Sequence, residues 1–161
     1  MQARKVAYHG LFAALAILMG YVEMLIPVPV PIPGVKLGLA NVIIIIMMYF
    51  MDTKSAFFVS LIRVVLSGLL FAGFAGLLYS LAGAMCSFAV MALLKKAGKF
   101  SIAGVSIAGG IFHNVGQIIV AALVVQNVKM AYYLPFLLVS GVVTGLLIGI
   151  VAKTALGYLK R

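Results

Sequence analysis

Eight polar side chains set in or beside long apolar runs carry whatever chemistry this chain can do: Glu23, Lys36, Asn41, Arg63, Tyr79, His113, Asn114 and Gln117. Polar groups inside apolar segments are costly, so each is a candidate contact for a ligand or an ion. His113 and Gln117 are four residues apart and share a face of any helix that carries them, with Asn114 adjacent. Around them, Gly109-Gly110-Ile111-Phe112-His113-Asn114-Val115-Gly116-Gln117 joins helix-weakening glycines to three large polar groups. That combination is hard to explain by packing alone and points to ligand contact. One acid, several bases and several amides suit a polar or zwitterionic small molecule. Plainer roles stand beside this one. Arg63 can pair with Glu23 or snorkel, Asn41 can cap or bond a neighbouring helix, and Tyr79 can anchor at a membrane interface.

Binding is a better expectation than catalysis. The chain has only two acidic residues, Glu23 and Asp52. A magnesium–diphosphate site needs several clustered carboxylates, so that chemistry is excluded. No nucleophile–base pair stands out, because His9 is far from Cys86 along the chain. No G-x-x-x-x-G-K-[ST] is present, so the chain does not itself bind ATP in a phosphate loop. The single cysteine permits neither an intrachain disulfide nor a multi-cysteine metal site. No catalytic residue, metal or cofactor is expected.

The elements that position these residues are membrane helices. The chain is 66% hydrophobic and 9% charged, with a mean hydropathy of +1.30. A soluble domain carries about 25% charged residues. The apolar runs are long and lack period-two alternation, which predicts helices rather than a barrel. Arg4-Lys5 and the apolar run behind them imitate a signal peptide, but no small-x-small cleavage site follows, which predicts a first transmembrane helix. Six spans are expected, at about Val6–Ile26, Leu37–Met51, Ser55–Phe71, Phe74–Leu94, Ser101–Gln126 and Ala131–Leu156, in one all-α domain covering 1–161. The second, at roughly 15 residues or about 22 Å, is short for a hydrocarbon core of about 30 Å.

Between the first two spans, Pro27, Pro29, Pro31 and Pro33 predict a stiff, extended crossover that ends near Lys36 and Asn41. One side of the expected membrane collects Arg4, Lys5, Lys54, Lys95, Lys96, Lys99, Lys153, Lys160 and Arg161, against Lys36 and Lys129 on the other. Both termini are therefore expected in the cytoplasm, with the proline crossover outside. The net charge of +10 is read as topogenic rather than as a nucleic-acid patch. Counting about 1.5 Å per residue from the cytoplasmic boundary brings Glu23, Asn41, Tyr79 and Gln117 to one outer level. His113, Asn114 and then Arg63 follow beneath, so a pocket opening outward is expected. Small residues also recur at four-residue spacing: Gly10 and Ala14 with Ala7 and Ala13 beside them, then Gly76, Ser80 and Ala84, then Gly141, Gly145 and Gly149. Such faces let helices approach closely. In the first span the face is also a candidate docking surface for another membrane subunit.

Three of these features together carry a resemblance. Pro33-Gly-Val-Lys-Leu-Gly-Leu-Ala-Asn41, Arg63 and Gly110-Ile-Phe-His-Asn-Val-Gly-Gln117 look like the Gx transporter family, often labelled heptaprenyl diphosphate synthase component I. That family in turn resembles the substrate-binding S-components of energy-coupling factor transporters. The resemblance spans nearly the whole chain. It implies a six-span bundle with no enzymatic activity, in the cytoplasmic membrane, binding a vitamin-like molecule under the first loop. It also implies docking onto a transmembrane coupling protein that carries two ATPases. Carried onto this sequence, the ligand contacts are Lys36, Asn41, Arg63, Tyr79, His113, Asn114 and Gln117, with Ala7, Gly10, Ala13 and Ala14 as the docking face. The docking motif of such proteins is usually alanine at four-residue spacing, and here Gly10–Ala14 stands in for it. Two other functions fit the residues. One is a non-catalytic anchor for a prenyl diphosphate synthase or quinone-pathway enzyme. The other is a stand-alone carrier, for which Glu23 is the one obvious proton-coupling group.

Overall fold

The structure, a computed structural model, describes residues 2–26 and 38–159. The proline crossover, Lys36 and the last two basic residues lie outside the described residues. Among those described there are six α-helices: α1 (Gln2–Leu25), α2 (Leu39–Phe50), α3 (Thr53–Ser67), α4 (Gly73–Ala97), α5 (Ile102–Val125) and α6 (Leu134–Leu159). A π-helical turn, Gly68–Ala72, joins α3 to α4, and a 3-10 segment, Val128–Tyr133, precedes α6.

Local chemistry sets the helix ends. Asp52 caps α3, its carboxylate accepting from the Ser55 N–H and from the Ser55 hydroxyl, each at 2.7 Å. The Ser101 hydroxyl caps α5 by accepting from Gly104 N–H at 3.1 Å. Gly98, with φ of 69°, ends α4 in the left-handed conformation that glycine adopts without strain. At the turn between α3 and α4, Gly73 has φ 69° and ψ 177°. The chain doubles back there: a Cβ built on Gly68 would lie 2.8 Å from the Cβ of Leu77.

Cross-helix contacts show that successive helices run antiparallel. Tyr8 and Phe12 in the first half of α1 meet Phe50 at the end of α2 edge-on and tilted, while Gly20, near the end of α1, sits by Ala40 at the start of α2. Phe57 of α3 meets Phe88 of α4, and along the α4–α5 seam Gly83 meets Gln117 while Gly109 meets Met91. Along the α5–α6 seam, Gly141, Gly145 and Gly149 face Gly110, Ile107 and Ala103 in reverse order. The described basic residues at helix ends, from Arg4 and Lys5 to Lys54, Lys95, Lys96 and Lys153, consequently share one end of the bundle.

The core centres on α2. Its sequence, Leu-Ala-Asn-Val-Ile-Ile-Ile-Ile-Met-Met-Tyr-Phe, is apolar on all sides, as a helix surrounded by others must be. Ile44, Ile45, Met47 and Met48 are fully buried, packed with Phe12, Ala16, Val59, Ile148 and Ala152 from the helices around them. The Lys95 ammonium reaches across from α4 to the Met48 carbonyl at the end of α2, donates to Thr53 Oγ1 at 3.3 Å, and lies 5.1 Å from the centre of the Tyr49 ring.

Among the described residues, four stretches are long and apolar enough to cross a membrane: Ala3–Leu25, Thr53–Ala97, Ile102–Val125 and Val128–Leu159. The 45-residue stretch contains α3, the π turn and α4. The second expected span is shorter than its predicted limits. Helix α2 begins at Leu39 rather than Leu37, because Gly38 is left-handed at φ 75°, and it ends at Phe50. Twelve residues reach about 18 Å.

Candidate polar cavity

The end of the bundle opposite the lysines holds the polar residues. Glu23 is near the end of α1, Asn41 in the first turn of α2, and Arg63 in the last third of α3. The Glu23 carboxylate accepts from the Gly38 N–H at 2.7 Å. That bond ties the two chain ends that flank the proline crossover. Gly38 suits that place because its φ is positive; a Cβ there would also press on the end of the Ile148 side chain, at 2.8 Å from Cδ1. The Arg63 guanidinium donates through Nη2 to Asn41 Oδ1 at 3.2 Å, while its Nε is buried with no hydrogen-bond partner among the described residues.

Two adjoining cavities meet at these groups. The smaller, about 60 Å³, runs into the bundle between α2, α4, α5 and α6. Its polar lining comprises Glu23, Asn41, Arg63, Ser80, Ser87, Ser106, His113, Asn114 and Thr144. The larger, about 370 Å³, lies between α1, α3, the π turn and the start of α4. It is walled by Met24, Ile26, Val64, Phe71 and Ala72, with Ser67 among the polar residues. Glu23, Arg63 and Ser80 line both, so the two cavities share one polar floor. The hydroxyls of Ser67 and Ser106 are buried without a partner among the described residues, one in each cavity. Buried polar atoms are nearly always paired, so these mark places where a water or a ligand atom fits.

The candidate residues separate into groups. Glu23, Asn41, Arg63, His113 and Asn114 line the smaller cavity. Asn114 is 8% exposed and donates to the Leu137 carbonyl of α6 at 2.5 Å, so one arm of its amide is already used in packing. Gln117 is equally buried but lines neither cavity; its Cγ lies against Gly83 of α4, where a Cβ would come within 2.8 Å of it. Tyr79 is half-buried and also lines neither; its neighbour Ser80 does. Lys36 is outside the described residues. The glycines beside His113 have packing roles: Gly109 meets Met91, Gly116 meets the Ala82 carbonyl and Cys86, and Gly110 meets Gly141.

Ser67, Ser80, Ser87, Ser106 and Thr144 were not singled out as contacts from sequence, because small hydroxyls are cheap in helices and common at helix seams. A usable signal was present. Ser80 and Ser87 are seven apart on α4, and Ser106, Gly110 and His113 follow helical spacing on α5. On α1, Ala7, Gly10 and Ala14 are exposed, and a Cβ at Gly10 would meet nothing within 4 Å. Ala13 is half-buried and packs against the core. Among the described residues, no three His, Cys, Asp or Glu side chains are grouped so as to hold a metal ion.

Comparison with family models matches residues 12–155 to heptaprenyl diphosphate synthase component I. Comparisons with curated proteins and with solved structures returned no match.

Proposed function

We propose that this chain, which belongs to the heptaprenyl diphosphate synthase component I family, is a non-catalytic membrane subunit that captures a small molecule for import. The observation that carries this reading is the pair of cavities joined at Glu23, Arg63 and Ser80, with unpartnered polar atoms in an otherwise apolar bundle. Such groups are retained inside a membrane bundle when they meet a ligand. Six spans with both termini in the cytoplasm fit the gathering of basic residues at the other end of the bundle. The cavity then faces outward. The exposed Ala7, Gly10 and Ala14 support α1 as the face that docks on a membrane coupling protein bearing two ATPases, as in energy-coupling factor transporters.

The test is purification in mild detergent followed by native mass spectrometry of bound small molecules and proteins. A retained small ligand, or co-purification with an ATPase-bearing membrane complex, is expected. His113→Ala is expected to lose the ligand and stay folded, and wild-type retention in that variant would remove His113 from the site. The family's description favours a second reading, a membrane anchor for a prenyl diphosphate synthase. Recovery of a soluble synthase with no small ligand would favour that one.

A further inference from the structure

The charge balance of the joined cavities bears on what can enter them. Among the described lining residues, the formally charged side chains are one acid, Glu23, and one guanidinium, Arg63. Their charges cancel. Each also has hydrogen-bonding capacity left over. Glu23 uses Oε1 on Gly38, and a carboxylate accepts at two oxygens. Arg63 uses Nη2 on Asn41 and has a buried, unpartnered Nε. Ser67 Oγ, also buried and unpartnered, lies in the same chamber.

A ligand of net charge would leave one charge uncompensated in a low-dielectric interior, and that is expensive. A neutral ligand avoids the cost. A zwitterion does more, because each of its ends makes a charge-assisted bond, roughly twice as strong as a neutral one. The walls of the larger chamber ask for something apolar as well. Met24, Ile26, Val64, Phe71 and Ala72 line its 370 Å³, a volume suited to a hydrocarbon or aromatic body of modest size.

Building on the ligand-capture reading, we infer that the ligand is a zwitterion with an apolar body. Its cationic group lies on Glu23, its anionic group on Arg63 with Ser67, and its body in the chamber between α1 and the π turn.

Four probes share one phenylethyl body and differ only in charge: L-phenylalanine, phenethylamine, 3-phenylpropanoate and 3-phenylpropanamide. Protection of the full chain against thermal unfolding in detergent is measured for each, in the wild type, Glu23→Gln and Arg63→Gln. The zwitterion is expected to half-saturate at a concentration on the order of tenfold lower than the other three. Glu23→Gln keeps an acceptor for Gly38 but leaves Arg63 uncompensated, so preference moves to 3-phenylpropanoate. Arg63→Gln moves it to phenethylamine. This inversion cannot arise from a general loss of folding. Protection strongest with an anion, a cation or the amide in the wild type overturns the zwitterion assignment and leaves ligand capture standing. Protection by none of the four overturns the chamber as a binding site, whereas failure to retain any native ligand in the mass-spectrometric test is what counts against capture itself.

Discussion

Gly145→Ala tests whether the α5–α6 seam is as tight as the backbone geometry requires. An added Cβ would lie 2.7 Å from the Cα of Ile107, 2.8 Å from the Ser106 carbonyl oxygen and 3.1 Å from the Ile107 nitrogen. All three are backbone atoms, so no rotamer change relieves the clash and the two helices must separate. Overpacking of this kind costs about 1–3 kcal/mol. Alanine returns up to about 1 kcal/mol of helix propensity, so with that returned in full the net loss is up to about 2 kcal/mol. For a chain of this size that is a fall of up to about 8 °C in melting temperature. Gly10→Ala is the internal control. With nothing within 4 Å of the new methyl, it gains propensity at no packing cost, and its melting temperature is expected to stay level or rise. Thermal unfolding in one detergent, followed by circular dichroism, measures both. The seam also carries Ser106 and Thr144 into the smaller cavity, so Gly145→Ala is expected to weaken ligand retention where Gly10→Ala does not. If Gly145→Ala melts at or above the wild type, the close approach is wrong.

Other outcomes follow from the opposite end of the bundle. Lys95→Met leaves the Met48 carbonyl and Thr53 hydroxyl without their cation and is expected to cost about 1–3 kcal/mol in the same melt, with Lys95→Arg recovering part of it. The Ser55 backbone N–H, and next the Ser55 hydroxyl, hold the Asp52 carboxyl below its ordinary value of 3.8. A folded-state value below the unfolded one makes the stabilisation complete at neutral pH, and it is lost as pH falls below about 4 through the folded value. Asp52→Ala is expected to lose about 1 kcal/mol at pH 7, and Asp52→Asn to flatten the dependence of melting temperature on pH between 5 and 3.

The helices were legible in the sequence because apolar runs of membrane length have few alternatives, and their limits fell within a few residues of the observed ones. Shorter-range geometry was less legible. Gly38 reads as an ordinary glycine until its left-handed φ and the Ile148 contact behind it are known, so α2 was drawn two residues too long at its start. Depth counting groups Tyr79 and Gln117 with Asn41, but height does not determine which way a side chain turns. Gln117 lies over Gly83, and the rotation of about 100° from Tyr79 to the next residue brings Ser80, not the Tyr79 phenol, to the cavities. The Gly141, Gly145 and Gly149 face did meet a neighbouring helix, because glycine at four-residue spacing on an apolar helix has little use except close contact. The π turn at Gly68–Ala72 was missed. Its signal, two glycines five apart ahead of a fresh apolar run, is shared by many uninterrupted helices.

The shortness of α2 has a consequence for biogenesis. A twelve-residue helix is too brief to be released into lipid by a translocon as a stable span of its own. It must leave the insertion machinery paired with α1, held at one end by Glu23 and Gly38 and at the other by the rings of Tyr8, Phe12 and Phe50. Even then its far side stays uncovered until Ile148 and Ala152 of α6 emerge from the ribosome, more than ninety residues later by the order of the chain. Thr144 and Ile148 also close the smaller cavity. The smaller cavity is thus among the last parts of the molecule to be completed during synthesis, whereas the described lining of the larger one is complete once Ser80 of α4 has emerged.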